Sequence, residues 1–570
     1  MSNDKVVDVL NEIADLLDIK DVQFKPRAYR RAAREIESLT QDLEDIHNEG
    51  KLEDIPSVGK NISEKITELL QTGQLEYLND LRKEIPLDPD LLKVRNLGPK
   101  KAKKLWETLE VTTIDDLKEA IDSKEIRKLE GFGKKSEENI KKGLKIVQQT
   151  INKNKISDVL PIAREIKSEL KSSGLFDELK LAGSIRRRKY LVGDIDILGT
   201  TENREKAMNY YSTIHKVKEV LSKGETKSSV RLKNGMRVDL RVVDSGSFGA
   251  ATQYFTGSQE HNVRLRELAI SQGYKLSEYG LFTESNEEKV AGREEEKIYE
   301  KLGLSRITPE LREDRGEINA AKTGDLPTLV TRENIKGDLH CHSDRSGDGK
   351  ITLSELAKEA QARDYEYLAV TDHADAPGII SGLTDNNIEE HLEEIRQINE
   401  QYDNLELLAG VEANIQPDGT FRLSDKSLSK LDLVIAGIHS NFDMPEGKMT
   451  TRLLRAINNK NVNIIAHPTG RKIGERGSFS VDWSEIFTKA SSSNTVLEIN
   501  ASPPRFDLDD KLAKQALDQG VKLSIGTDAH QIHHLDYMEF GLYLARRGWS
   551  EKADILNTLS LPELKSWLKT

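Results

Sequence analysis

Gly183-Ser184-Ile185-Arg186-Arg187-Arg188-Lys189-Tyr190-Leu191-Val192-Gly193-Asp194-Ile195-Asp196-Ile197-Leu198 is the stretch on which the reading of this chain turns. Asp194 and Asp196 alternate along a β-like run, so both carboxylates project from one face. Side by side they repel unless a divalent cation lies between them. Asp239, in Arg237-Val238-Asp239-Leu240-Arg241, sits on a second alternating run and can add a third carboxylate. Hard oxygen ligands suit Mg²⁺, which also keeps water and binds phosphates. Two such ions about 3.5–4 Å apart support in-line phosphoryl transfer. Gly183-Ser184 offers a close backbone turn and a hydroxyl for a triphosphate, and Arg187 offers charge.

Outward from this stretch the chain changes texture. Its 570 residues, 36% hydrophobic and 32% charged, predict several domains of ordinary size. Residues 1–150 follow a helical period, as in Val6-Val7, Leu10, Ile13-Ala14 and Leu16-Leu17, broken by short Gly-containing turns. Residues 155–320 mix helices with β-like runs, and Gly324-Asp325 and Pro327 mark a linker at 320–334. From Ile335 onward, apolar runs (Tyr367–Val370, Leu405–Ala409, Leu433–Ile438, Val462–Ala466, Val496–Ile499, Lys522–Ile525) alternate with amphipathic helical patterns. That alternation predicts an α/β barrel or a related fold.

A lone Cys341 excludes a disulfide scaffold and a cysteine-ligated zinc ribbon. The first residues read as an acidic amphipathic helix without signal-peptide character, and no run approaches the roughly 20 apolar residues of a membrane span. We therefore expect a cytoplasmic, nucleoid-associated protein with no membrane partner. Net charge is −12, with about −1 in residues 1–320 and about −11 in residues 321–570. The near-neutral part holds local basic runs, including Lys100-Lys101-Ala102-Lys103-Lys104 and Arg186-Arg187-Arg188-Lys189. A single run of this kind is ordinarily a solvated face.

Most of the 12 histidines fall after residue 335. In Asp338-Leu339-His340-Cys341-His342 two imidazoles share a strand face. Asp348, Asp372-His373, Glu412, His439, His467 and Asp528-Ala529-His530 follow, each at or just beyond a predicted strand end, where α/β barrels gather their active groups. Histidines mixed with carboxylates in this way point to a multinuclear metal site, with Mn²⁺, Zn²⁺ and Fe²⁺ all compatible.

Three turns share one pattern: Ile55-Pro56-Ser57-Val58-Gly59-Lys60, Val94-Arg95-Asn96-Leu97-Gly98-Pro99-Lys100 and Leu129-Glu130-Gly131-Phe132-Gly133-Lys134. Each puts an apolar residue and a glycine in a tight turn, then opens a Lys-rich helix. The glycine lets backbone approach a ligand, and the helix start offers N–H groups to a phosphate. These turns resemble helix-hairpin-helix motifs, with Gly59, Lys60, Gly98, Lys100, Gly133 and Lys134 as the DNA-backbone contacts.

The aspartate run, followed by Tyr254-Phe255-Thr256-Gly257-Ser258, Asn262 and Arg266, resembles the family X DNA polymerases over nearly all of residues 1–320. The resemblance implies catalytic metal ligands at Asp194, Asp196 and Asp239, with Mg²⁺ or Mn²⁺. It implies nucleotide contacts at Gly183, Ser184, Arg187, Gly193 and Gly257, a sugar wall at Tyr254 and Phe255, and contacts to the nascent base pair at Asn262 and Arg266. Lys65 matches the position of a Schiff-base lysine in the small amino-terminal domain of polymerase beta. Asn61 replaces a basic neighbour there, so an exposed helix lysine is the preferred reading of Lys65.

Residues 335–570 resemble the PHP domain, a metal-dependent phosphoesterase. Its ligand positions fall on His340, His342, Asp348, His373, Glu412, His439, His467, Asp528 and His530, with Asp344 a rival to Asp348. His533 and His534 read as surface or supporting groups, and Arg471 as a solvent-exposed loop arginine. The resemblance divides the chain into a helical domain at 1–85, a second hairpin domain at 86–152, a palm at 153–245, a nascent-base-pair subdomain at 246–319, the linker, and the barrel. The implied protein is a monomeric repair polymerase that fills gapped or nicked duplex DNA from dNTPs. Its barrel would act as a 3′→5′ exonuclease and on abasic sites. A polymerase with a structural barrel, and a small-metabolite phosphatase carrying DNA-binding modules, are the alternatives.

Overall fold

Helix Asn3–Ile19 follows directly from its pattern: Val6, Leu10, Ile13, Leu16 and Leu17 recur on one face and are all buried. The computed structural model describes residues 3–37, 39, 43–151, 153–374 and 382–569. It divides into two compact units, Met1–Ile151 with Lys472–Gly477, and Asn152–Arg471 with Ser478–Thr570.

The described part of Met1–Ile151 is helical and rests on one apolar core. Its three repeated turns have one geometry. Ser57, Asn96 and Gly131 each take a left-handed backbone, with φ of 65°, 71° and 83°. The next residue, Val58, Leu97 or Phe132, plugs the core and closes the turn with a 3.0 Å backbone hydrogen bond three residues back. Gly59, Gly98 and Gly133 then cap helices Lys60–Thr72, Pro99–Leu109 and Lys134–Thr150, with no side-chain cap on the first N–H groups.

In the second unit, a five-stranded palm sheet has the order Glu178–Leu181, Ile195–Thr200, Arg237–Val242, Lys227–Leu232, Val217–Lys223. Only Ile195–Thr200 and Arg237–Val242 are parallel neighbours, which brings their starts to one edge. Helices Phe248–Thr256 and Gln259–Ser271 and a three-stranded antiparallel sheet follow.

Seven parallel strands, from Gly337–Cys341 to Leu523–Gly526, then pair in sequence order. They are buried on both faces and largely apolar, as parallel strands between helices must be, with Asp338, His340 and Glu498 among the polar exceptions. The circle is nearly closed. Thr527 Oγ1 donates to the buried Asp338 carboxylate (2.5 Å), and His342 N–H to the Ala529 carbonyl (2.8 Å). The stretch read as a linker is not a free tether. Helix Glu317–Thr323 occupies its start, Leu329 packs into an apolar core, and the buried Val330 donates its N–H to Ser550 (3.0 Å).

Two candidate metal centres

On the parallel palm strands Asp196 stands opposite Asp239, and Asp194 precedes the first strand by one residue. Burial, then the charges of Asp194 and Asp239, push Asp196 up to about 6. Burial and Asp239 raise Asp194 as well. Asp239 moves the other way. Burial raises it, but Arg237 Nε and its second nitrogen (both 2.8 Å) and Lys227 Nζ (2.9 Å) outweigh burial and hold it ionised. Gly183 is required beside this group. Its φ is +59°, and a Cβ there would stand 2.2 Å from Asp196 Oδ2.

The four cations after Ile185 all meet partners within the protein, although Lys189 stays partly exposed. Arg186 forks onto Glu295 (2.8 and 2.6 Å). Arg187 donates to Glu313 (2.9 Å) and to the Thr256 carbonyl. Arg188 stacks 4.5 Å over Tyr543, and Lys189 approaches Glu313 at 3.4 Å. Tyr254 and Phe255 close their helix edge to face at 5.1 Å, with Arg241 4.4 Å over Phe255. Gly257 passes against Arg187, 3.1 Å from where its Cβ would stand. Asn262 donates to the Tyr254 carbonyl (2.7 Å), and Arg266, one turn on, is exposed.

At the barrel's strand ends all nine expected residues converge. His340 and His342 aim Nε2 at each other (3.1 Å), and Asp528 Oδ1 lies 3.3 Å from His342 Nε2. Glu412 is central: one oxygen meets His439 (3.0 Å) and His467 (2.8 Å), the other His373 Nδ1 (2.9 Å). Asp348 stands 3.4 Å from His373 Nε2 and 3.5 Å from His530 Nε2. Asp344 is exposed and joins none of these groups. Three cation-sized sets result: His340, His342 and Glu412; His373, Glu412 and His439; His342, His373 and His530. Gly437 leaves room, since a Cβ there would meet Glu412, His467 and His439 at 2.8–3.0 Å.

Electrostatics follow from this crowding. Burial raises Glu412, but His439, His373 and His340 outweigh it and hold the carboxylate well below its usual range. Burial, then His530 and His373, lowers His342 to about 4. Burial also lowers His373, yet Glu412 and Asp348 bring it up to about 10.

Comparison with known proteins places these centres in context. Family models match at residues 1–75 (helix-hairpin-helix domain), 88–145 (SAM-like helix-hairpin-helix tandem), 251–313 (DNA polymerase beta thumb) and 338–502 (PHP domain). The DNA polymerase/3'-5' exonuclease PolX of Bacillus subtilis (strain 168) is 37% identical over 574 residues, covering 100% of both chains. The chain belongs to the PolX family. Probable phosphatases of Thermoanaerobacter sp. (strain X514) and Proteus mirabilis (strain HI4320) are each 29% identical, over 41% and 39% of this chain and 94% and 89% of their own lengths.

Polymerase and PHP domains imply dependence on divalent metal ions, and both donor sets of this PolX chain fit them. The palm offers hard oxygens that repel one another. The barrel offers imidazoles, and those of His340, His342 and His530 have their far nitrogens already committed, so that Nε2 faces the centre. His340 Nδ1 meets Glu498 (2.6 Å), His342 Nδ1 meets Ser346 Oγ (2.9 Å), and His530 Nδ1 meets the Asp528 carbonyl (2.8 Å).

Glu498 was absent from the sequence reading, and Asp372, named there beside His373, is not a ligand but the carboxylate that holds Ser343 and Ser346. Glu498 had a signal, a lone acid inside the apolar run Val496-Leu497-Glu498-Ile499. Lys227 and Arg237 were missed at the palm, and Arg505, 3.4 Å from Asp528, at the barrel. Two expectations need correction. Arg471 is 12% exposed, because the Arg505 and Phe506 carbonyls and Asp509 hold it. Lys65 is half-buried, not free: it donates to Asn61 (2.7 Å), lies 4.8 Å over Tyr77, and lines a cavity of about 510 Å³ with Lys25, Tyr29 and Lys60.

Proposed function

We propose that this chain is a DNA-directed DNA polymerase that fills short gaps in repair, and that its barrel is a 3′→5′ exonuclease with action at abasic sites. One observation carries the reading: a carboxylate triad on the palm and a separate nine-residue centre on the barrel occur in a chain similar to PolX over its full length. Asp194, Asp196 and Asp239 would hold Mg²⁺ or Mn²⁺, and the nine barrel residues a cluster of Mn²⁺, Zn²⁺ or Fe²⁺. Bound, such ions activate a hydroxyl or water and neutralise developing phosphate charge.

The chain's own residues do the rest. The bare backbone at Gly183 and Gly193 and the Ser184 hydroxyl would receive the triphosphate. Arg187 would join them by leaving Glu313. Tyr254 and Phe255 would wall the sugar and favour dNTPs over rNTPs, while Asn262 and Arg266 face the nascent pair. The uncapped helix starts at Lys60, Pro99 and Lys134 would hold DNA phosphates without reading sequence. The protein would work as a cytoplasmic, nucleoid-associated monomer. No helix among the described residues is long and apolar enough to cross a membrane.

A labelled gapped duplex with Mg²⁺ or Mn²⁺ tests both activities: extension with dNTPs, shortening from the 3′ end without them. Neither product would defeat the proposal, and a phosphatase acting only on small monoesters would replace it.

The cavity at Lys65 supports a second reading for that unit, Schiff-base removal of a 5′-deoxyribose phosphate. Burial lowers the amine's pKa, which favours its nucleophilic form. Borohydride should trap a DNA adduct that Lys65→Ala abolishes; equal trapping in the variant would refute it.

A further inference from the structure

The turn Gly183–Lys189 is held from outside the palm. Its Arg187 carbonyl accepts a hydrogen bond from Arg547 (2.6 Å), the last residue of barrel helix Met538–Arg547. The same guanidinium reaches Glu313 (3.1 Å) and Asp510 (2.5 Å), and its side chain is 1% exposed. Glu313 also receives Arg187 (2.9 Å) and Lys189 (3.4 Å), and Asp510 receives Arg315 (2.9 Å). Charge therefore alternates through a buried chain from the palm turn to the barrel. Arg188 takes a left-handed backbone (φ +58°), uncommon for a side chain of this size, and stacks on Tyr543, one helical turn before Arg547. Tyr190 completes the contact, packing 6.0 Å from Phe506 and under Arg471 at 4.8 Å.

We propose that Arg547, on the barrel, is a positioning residue for nucleotide binding at the palm. This rests on the reading that the turn and Arg187 receive the triphosphate. Two effects follow from the geometry. Arg547 fixes the carbonyl at the point where the turn leaves its short helix, so Ser184 and Arg187 are presented in one arrangement. It also remains on Glu313 when Arg187 departs. Without it, handing Arg187 to a phosphate would leave a buried carboxylate with Lys189 alone, and unpaired buried charge is strongly disfavoured. The barrel thus serves the palm through a side chain that touches neither metal centre.

The test uses the full chain with steady-state kinetics on a gapped duplex. Arg547→Met should raise KM for dNTP by about 10-fold or more while kcat changes less than about threefold. Shortening of 3′ ends should stay within about twofold of the parent. Arg547→Lys keeps a cation near Glu313 but cannot reach all three acceptors, so its KM should be intermediate. Arg164→Ala, which removes a more exposed pair to Glu539 on the same helix, should leave KM unchanged. An unchanged KM in a folded Arg547→Met overturns the proposal, as does an equal rise in Arg164→Ala. If the Met variant does not unfold cooperatively, Arg547→Lys decides: a KM equal to the parent's overturns it. Arg187→Ala separates the underlying reading. If that variant keeps its KM, the triphosphate assignment fails; if it loses affinity while Arg547→Met does not, only the positioning role fails.

Discussion

The palm and barrel centres solve opposite electrostatic problems. The palm collects three carboxylates and has Lys227 and Arg237 on only one of them, so Asp194 and Asp196 stay uncompensated and Asp196 rises to about 6. The barrel mixes imidazoles with carboxylates that already satisfy one another, and Glu412 and Asp528 remain ionised although buried. On the proposed function, the first centre would be completed only when cations and a triphosphate arrive together. The second mixes imidazoles with carboxylates, and neighbouring groups hold the outer nitrogens of His340, His342 and His530, which suits resident ions. Under chelation and dialysis the barrel should therefore retain metal that the palm gives up.

The largest expected effect separates the two centres outright. Asp194→Ala with Asp196→Ala should lower primer extension by about 10³-fold or more and leave 3′-end shortening intact. His340→Ala should do the reverse. A folded variant that lost both activities would break the picture of two centres. Next in size is Glu498→Gln, which leaves every barrel donor in place but removes the anion that orients His340. A loss of about 10–100-fold in metal affinity or shortening is expected, with extension unchanged. Elemental analysis beside the nuclease assay reads both quantities.

How much of this was legible depends on whether the chemistry was local in sequence. Asp194-Ile195-Asp196 and His340-Cys341-His342 declare themselves because strand alternation puts neighbours two apart on one face. The apolar runs after Ile335 located the barrel strands, since parallel strands buried on both faces are largely apolar, but the strand expected at Leu405–Ala409 runs on to Asn414 and carries Glu412 within it. What pairing across the fold decides was not legible. The run Arg186–Lys189 reads as loose charge with Arg187 given to a triphosphate, and only the tertiary structure reveals Glu295, Glu313 and Tyr543 opposite it. Lys65 was misjudged for the same reason, because Tyr77 lies twelve residues away.

A smaller effect concerns stability. Asp196 has its folded pKa raised from 3.8 to about 6. Below its unfolded value both states are protonated and no penalty exists; the penalty builds as pH rises from 3.8, where the unfolded chain ionises first, and is complete above about 6. Asp196→Asn should therefore make the metal-free chain more stable at pH 7.5 by about 3 kcal/mol, and by much less at pH 4. Extension should be lost all the same. Thermal unfolding in chelator at the two pH values checks this, and equal shifts at both would mean that the carboxylates are not in conflict. Added Mg²⁺ should narrow the gap at pH 7.5 only.

The smallest effect tests what the centres' glycines are for. Gly183 and Gly437 are crowded by the chain's own functional groups, so Gly183→Ala should damage extension and Gly437→Ala shortening, each in one centre only. Gly98 differs from both. Its φ is −54° and ψ 167°, a backbone that alanine adopts, and a Cβ there would meet nothing within 4 Å. Alanine is a poorer helix cap than glycine by about 0.5–1 kcal/mol, and it recovers about 0.4–1 kcal/mol by restricting the unfolded chain. Gly98→Ala should then change stability by less than about 0.5 kcal/mol. If this glycine is bare so that a DNA backbone can approach, affinity for a gapped duplex should still fall several-fold, read by fluorescence anisotropy. A large loss of stability would make Gly98 a folding residue like Gly183, and unchanged affinity would remove the hairpin from the DNA contact.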